Sequence, residues 1–359
     1  MEIIFVCTKS ITFNTFLKSQ ANYLERRGLK VRIACSDIEN LDFKKKNVIK
    51  IDFPTNYIHL INLLKYFKVF FEIRDLVKKN KSSIFYLHTP VASYLFRLFT
   101  LFYNLKIIYF VHGFRFTSKT SFFRGIILKL IEKFLSLKTK IFITINKEDY
   151  NYAKNNLLKK VPIYKLNGVG LDLTDNLRKK IKNKKGINKI IVIGAYKKSK
   201  GYLDLLKIVE LLKYQKIKID CYGYGDHKKF KLIKIQKKLK NISFRRFDKN
   251  LKKKIKKYDL FIHLSKREGL PVSVMECLTE GVPVICKNIR GNNDLIKDRF
   301  NGFFVKSFEE VIYKIFYLKI ENKIFNEMRI NAINSINKSF SKKHINSQIY
   351  KIISNNFIR

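Results

Sequence analysis

Glu268 and Glu276 flank an apolar turn in the stretch REGLPVSVMEC, Arg267–Cys277, with seven residues between them that include one glycine and one proline. The chain has 28 acidic residues against 75 basic ones, so carboxylates are scarce. A pair at this spacing can accept hydrogen bonds from two separate sets of hydroxyls. The preceding run, DLFIHLS, reads as a buried strand ending at Ser265, which puts Glu268 and Gly269 in the loop after it. Pro271 suits the first turn of the following helix. The N–H groups and positive dipole end of that helix start suit a phosphate. Glu276, just over one turn in, would look back towards the same place. The competing reading is a capping loop followed by an exposed helical glutamate.

Other polar or glycine clusters also follow apolar runs: Thr8 to Ser10, HTP at His88, HGF at His112, INKED at Asn146, GAYKKSKG at Gly194 and GYGD at Gly223. In open parallel sheets ligands bind beyond the carboxyl ends of the strands, so residues placed there carry the most weight. Two domains with facing strand ends would make a cleft between them.

The elements that would hold these clusters alternate between strand and helix. In the first half EIIFVC, KVRIACS, SSIFYLHTP, LKIIYFVHG and IFITIN read as strands. Between and after them FNTFLKSQANYLERRG, INLLKYFKVFFEIRDLVKKN, the stretch from Ala92, RGIILKLIEKFLSLKTK and KEDYNYAKNN read as helices. The rhythm pauses at IYKLNGVGLDLTDNLRKKIKNKKGINK, a Gly- and Lys-rich stretch that reads as an inter-domain linker. It restarts with strands at KIIVIGA, IKIDCYGYG, ISFRRF, DLFIHLS and PVICKN. Helices are expected at GYLDLLKIVELLKYQ, KKFKLIKIQKKLK, NLKKKIKKY and PVSVMECLTEG, and a strandless helical tail runs from about Glu321 to Arg359. Short apolar strands separated by helices argue for two α/β halves with parallel, doubly wound sheets.

Composition narrows the class. At 359 residues with 46% hydrophobic content the chain has material for two globular domains. Its five cysteines form no C-x-x-C pair and are odd in number, which speaks against a disulfide scaffold or a zinc site and for a reducing cytoplasm. The run MEIIFVCTKS is too short for a signal peptide and reads as a first buried strand. No stretch reaches the about 18 clean apolar residues of a membrane span; ASYLFRLFTLFYNLKIIYFV is interrupted by Arg97, Asn104 and Lys106. A net charge of +47 has three readings: a Lys-, Ile- and Asn-rich compositional background, an anionic membrane face, or nucleic acid. No RNA- or DNA-binding signature accompanies it, so no nucleic-acid partner is expected. No D-x-D or other carboxylate cluster suggests a metal, and no cofactor is expected.

The stretch KREGLPVSVMECLTEGVPVICKNIRGNNDLI resembles the donor-site signature of the retaining glycosyltransferases of family 4. HTPVASYLFR, YFVHGFRF, IEKFLS, ITINKEDYNYAK and NGVGLDL follow in the order seen in bacterial capsular and exopolysaccharide members. The resemblance implies a GT-B fold, with two Rossmann-like parallel-sheet domains facing across a cleft. Residues 1–167 would form the acceptor-side domain, with a C-terminal helix at about 342–359 packing back on it, and residues 168–341 the nucleotide-sugar domain.

Site roles follow only as the resemblance implies them. Glu268 would contact donor-sugar hydroxyls and Glu276 the ribose, with the backbone of Gly269, Leu270, Pro271 and Val272 against the sugar and pyrophosphate. His112 would sit near the reaction centre, with His88 and Ser10 on the acceptor side. Lys200 would pair with the pyrophosphate, Gly194 would close the strand ending VIG, and Gly223 and Gly225 would form the turn near the base. Ala195 stands where many members carry a phosphate-binding arginine, which leaves more of that task to Lys200. The implied reaction moves a hexose or N-acetylhexosamine from a UDP-sugar to a saccharide, typically linked to polyprenyl diphosphate, on the inner face of the cytoplasmic membrane. The rival readings are an inverting GT-B enzyme and a non-enzymatic nucleic-acid binder.

Overall fold

Apolar runs buried on both faces form the strands of two all-parallel sheets, as expected where helices cover each side of a sheet. The computed structural model describes all residues except 55–60, 159–160, 174–181, 226–238, 249 and 359. Residues 228–238 of the expected basic helix and 174–181 of the expected linker therefore lie outside the described residues. The chain divides into two compact units, Met1–Gly170 with Lys342–Arg359, and Leu171–Ser341.

In the first unit the strands are β1 (Glu2–Val6), β2 (Lys30–Cys35), β3 (Val48–Lys50), β4 (Ile84–Leu87), β5 (Lys106–Val111), β6 (Ile141–Thr144) and β7 (Ile163–Lys165). They lie in the order β3-β2-β1-β4-β5-β6-β7, with Val6 level with Ala34 on one side and Leu87 on the other. The helices are α1 (Ser10–Thr12), α2 (Lys18–Arg26), α3 (Ile61–Lys79), α4 (Pro90–Phe99), α5 (Phe122–Leu135) and α6 (Lys147–Asn156). A π-helical turn, Phe13–Leu17, joins α1 to α2, so helical structure starts at Ser10 rather than at the expected Phe13. Asn146 caps α6 through its side chain, which accepts from the Asp149 N–H at 2.8 Å. Strand β7 corrects the linker reading, because IYK pairs with β6 at the sheet edge.

The second unit contains β8 (Lys189–Ile193), β9 (Lys218–Tyr222), β10 (Ile242–Arg245), β11 (Leu260–His263), β12 (Val284–Lys287) and β13 (Gly302–Val305), in the order β10-β9-β8-β11-β12-β13. Its helices are α7 (Tyr202–Leu211), α8 (Leu251–Ile255), α9 (Val272–Thr279), α10 (Asn292–Leu295), α11 (Phe308–Ile320) and α12 (Asn322–Ser335). Helices α7, α11 and α12 close over one apolar core that includes Ile190, Tyr202, Ile262, Ile285 and Val311. A last helix, α13 (Lys342–Ile353), belongs to the first unit and packs on α2, where the Asn346 amide donates to the Ser19 hydroxyl at 3.1 Å. Among the described residues no helix is long and apolar enough to cross a membrane.

Strand order decides where a ligand can enter. The direction of winding reverses between β1 and β4 in one sheet and between β8 and β11 in the other. At such a switch point the loops beyond the carboxyl ends part and leave a crevice.

Candidate functional site

The switch point of the second unit holds a charge cluster of Lys200, Glu268 and His263. Chain leaving β8 passes Gly194 and Ala195, makes a short 3-10 turn over Lys198–Lys200 and enters α7 at Gly201. Gly201 has φ +79°, and a Cβ there would overlap the carbonyl oxygen of Leu264 beyond β11. That close approach brings Lys200 against the loop after β11. Its Nζ lies 2.5 Å from Oε1 of Glu268, and Nε2 of His263 lies 3.4 Å from the same oxygen. The Arg290 guanidinium donates from Nε to the Glu268 carbonyl oxygen at 2.9 Å, and the Lys266 N–H donates to the Ser199 carbonyl at 2.9 Å.

Burial raises the Glu268 carboxyl, but His263 and Lys200 overcome this and hold it down at about 2. At neutral pH it is therefore an anion that only accepts hydrogen bonds, not an acid with a proton to give. Sugar hydroxyls are natural donors to such a group.

Gly269, Leu270 and Pro271 lead from Glu268 into α9. Pro271 occupies the flanking position just before the helix rather than its first turn, a shift of one residue from expectation. Val272 opens the helix, and Glu276 follows one turn in, half-buried. On the side of β8 away from the switch point, the Gly194 N–H donates to the Tyr222 carbonyl at 2.9 Å. A Cβ at Gly223 would overlap the Gly194 carbonyl oxygen, and Gly225 sits against Tyr196. Gly194, Gly223 and Gly225 thus form one packed backbone surface beside Lys200. Tyr202 and Tyr196 fasten it: the first donates its hydroxyl to Gly194 O at 2.9 Å, the second to Arg245 O at 2.6 Å.

The switch point of the first unit carries the other expected residues. Ser10 is buried and committed to Asp37, whose carboxylate accepts from its N–H at 2.6 Å and its hydroxyl at 2.8 Å. His88 directly follows β4 and His112 follows β5, with Nδ1 of His88 3.1 Å from Nε2 of His112. His88 stacks on Phe5 and meets Tyr86 and Phe110, and His112 rests beside Phe110. Burial pushes His88 well below the usual histidine range and brings His112 down to about 4, so both rings are neutral at pH 7.

Nε2 of His88 is buried without a partner among the described residues. An orphaned N–H costs more than a bare lone pair, so the proton sits on Nδ1, which donates to Nε2 of His112. His112 must then carry its own proton on Nδ1. Next to this pair, Thr89 has φ +63°, an outlier for a β-branched residue, and its hydroxyl accepts from the Thr8 N–H at 3.1 Å.

The structure thus gathers Lys200 with Glu268, and His88 with His112. Sequence reading missed His263, Arg290, Thr89 and Asp37. His263 was visible as the polar residue ending a buried strand, DLFIHLS; Thr89 lay inside the HTP cluster, but its strain gave no signal, because strain belongs to backbone angles. Among the described residues no group of three or more His, Cys, Asp or Glu could hold a metal ion.

Comparison with known proteins agrees with both halves. Residues 174–334 match the family described as glycosyl transferases group 1, and residues 3–146 match glycosyl transferase 4-like. The putative glycosyltransferase EpsD of Bacillus subtilis (strain 168) is 25% identical over 323 residues, which cover 85% of this chain and 83% of EpsD. A UDP-Gal:alpha-D-GlcNAc-diphosphoundecaprenol alpha-1,3-galactosyltransferase of Escherichia coli is 23% identical over 337 residues, 87% of this chain and 85% of that one. Among solved structures, Anabaena HepE in complex with UDP and glucose is similar in fold, with a TM-score of 0.75 at 14% identity over 99% of this chain and 100% of that chain.

Proposed function

The chain belongs to the GT-B glycosyltransferases, its first half 4-like and its second of group 1, and from that premise we propose a retaining family 4 enzyme that moves a hexose or N-acetylhexosamine from a UDP-sugar to a lipid-linked saccharide in surface-polysaccharide synthesis. The observation that carries the proposal is the Lys200–Glu268 pair at the switch point of the second unit, beside the start of α9. A diphosphate needs cations and N–H donors, and a sugar needs anionic acceptors; this crevice has both. UDP-linked donors and a lipid diphosphate acceptor are what the name of the E. coli relative states.

In this reading Lys200 and the first-turn N–H groups of α9 hold the diphosphate. Glu268 accepts from the sugar hydroxyls and Glu276 from the ribose. Gly269–Val272 line the sugar and pyrophosphate with backbone, and Gly194, Gly223 and Gly225 make room for the nucleotide. The C1–O bond to the diphosphate breaks with its electron pair leaving on oxygen. That oxygen takes the acceptor hydroxyl proton, and the new C1–O bond forms on the same face. Growing charge on the leaving group is met by groups already in place.

His112, lowered to about 4, is a weak base at pH 7, which favours the departing phosphate oxygen as base over a histidine. We assign His112 a role at the reaction-centre side of the first unit, with His88 and Ser10 shaping the acceptor side. The reading needs no metal, so turnover should survive EDTA.

The test is transfer from a panel of UDP- and GDP-sugars, with NMR assignment of the product's anomeric configuration. Retained configuration from a UDP-sugar is expected. An inverted product would reject the front-face mechanism, and no transfer or thermal stabilisation with any nucleotide sugar would reject the enzyme reading.

A further inference from the structure

Strand β11 lies between β8 and β12, and the loop that follows it is gripped from both neighbours. On the β8 side the Glu268 carboxylate meets Nζ of Lys200 at 2.5 Å. On the β12 side the backbone carbonyl of Glu268 accepts from Nε of Arg290 at 2.9 Å. Arg290 is only 4% exposed, which sets it apart from the solvated cations that dominate this chain. Withdrawing a guanidinium from water costs free energy that its contacts must offset.

The next residue completes the grip. Gly291 has φ +82°, and a Cβ there would overlap the carbonyl oxygen of Gly269. The turn that carries Arg290 and Gly291 is itself anchored to the sheet. Asn292, fully buried, donates from Nδ2 to the Lys287 carbonyl at the end of β12 at 2.9 Å, and its N–H donates to the Ile289 carbonyl at 3.1 Å. The turn is thus a fixed wall against which the chain leaving Glu268 is laid.

In a trans peptide the C=O and N–H groups point in opposite directions. The carbonyls of Glu268 and Gly269 both meet the Arg290–Gly291 wall, so the N–H groups of the same two peptides, on Gly269 and Leu270, are turned away from it. Neither N–H donates a hydrogen bond among the described residues. Successive N–H groups facing one way form a concave site for an anion, continuous here with the orphan donors at the start of α9.

We infer that Arg290 is a positioning residue for the transfer reaction: through its Nε–H bond to the Glu268 carbonyl it aims the Gly269 and Leu270 N–H groups at the donor diphosphate without touching the substrate. This role rests on the donor site proposed above and names what holds that site's backbone in place. Its acceptor is a peptide oxygen, so the role needs a donor at the Nε position and not the positive charge.

Two neutral substitutions separate donor from charge. Glutamine places its amide N–H where arginine has Nε, whereas methionine places a methyl group there. Both remove the charge and the outer guanidinium contacts equally. Arg290→Met should lower kcat/KM for the UDP-sugar about 10- to 100-fold, mostly in kcat, because misplaced donors cost most where charge grows on the leaving group. Arg290→Gln should recover to within about threefold of the wild type. Gly291→Ala, which presses on the Gly269 carbonyl, should lower kcat in the same direction. With nitrogen-15 glycine labelling, the Gly269 N–H resonance should move on addition of UDP in the wild type and in Arg290→Gln, and much less in Arg290→Met.

Equal losses in the methionine and glutamine variants would show that the charge itself acts, and would overturn the assignment. So would an unchanged kcat in folded Arg290→Met, which leaves Arg290 a purely structural residue. If Arg290→Met does not fold, the glycine resonance decides: its movement with UDP in the wild type and in Arg290→Gln supports the role, and its indifference to UDP overturns it. A wild type that transfers sugar while both variants lose activity equally fails Arg290 alone. A wild type that binds neither UDP nor inorganic pyrophosphate removes the donor site, and the role of Arg290 with it.

Discussion

Lys200 and Glu268 neutralise each other, so each sets the environment of the other before any ligand arrives. An incoming diphosphate competes with the carboxylate for the ammonium group. Glu268→Gln should therefore separate two readouts, abolishing transfer while binding UDP at least as tightly as the wild type, because Lys200 is released from its anion. Weaker UDP binding by calorimetry would show that Lys200 does not face the phosphates. Lys200→Ala removes a charge-assisted bond of about 1.5–3 kcal/mol, so kcat/KM for the UDP-sugar should fall about 10- to 150-fold. Lys197 and Lys198, both exposed, are the controls, and equal losses at all three would cancel the special role of Lys200.

The histidine pair makes a finer prediction. An asparagine side chain in place of His88 can still donate to Nε2 of His112, whereas a phenylalanine cannot, so His88→Phe should lower kcat about 2- to 10-fold and His88→Asn much less. Nitrogen-15 shifts of the His112 ring should show the proton on Nδ1 in the wild type and in His88→Asn. A proton on Nε2 in the wild type would refute the assignment.

At the scale of elements, α4 and α5 are joined by a buried charge pair, the Arg97 guanidinium donating to the Glu132 carboxylate at 2.7 Å, beside apolar contacts that include Ala92 and Phe96. Glu132→Gln leaves the Arg97 guanidinium buried without its anion, and a change of that kind costs about 3–5 kcal/mol. Urea unfolding should show a loss of that size confined to the first unit; a loss under about 1 kcal/mol would mean that the pair is dispensable. Most elements were legible because buried parallel strands such as IFYL and IFIT are uniform apolar runs set between helices of clear period. The exceptions have physical causes. Strands β3 and β7 are three residues each, VIK and IYK, too short to show a period, and they form only because a longer neighbour offers its edge. GFFV of β13 and the α11 helix behind it followed a stretch of loop residues that masked them. The site was legible where chemistry is unusual for its surroundings, as with Glu268 after an apolar strand. It was not legible where tertiary pairing creates the feature, as with His263 beside Glu268 or Asp37 under Ser10.

At the scale of the whole molecule, the chain passes from the first unit to the second at Gly170–Leu171 and back at Ser341–Lys342. Helix α13 fills a groove that α2 cannot close alone, burying Ile345, Ile349 and Ile353 and setting Tyr350 under the Arg27 guanidinium, 5.4 Å from its ring. A chain ending at residue 341 should thus have a protease-sensitive first unit and a resistant second one, and a first unit of full resistance would show α13 to be an ornament. The same path has a consequence for biosynthesis. A ribosome delivers residues in order, and units generally fold as their last residue emerges. Here the second unit is contiguous and complete once residue 341 is out, while the first still waits for residues 342–359. The half that is synthesised first is the half that finishes last, so Phe122, Phe123 and Leu130 of α5, all exposed, are presented during translation by a unit whose last helix has yet to dock.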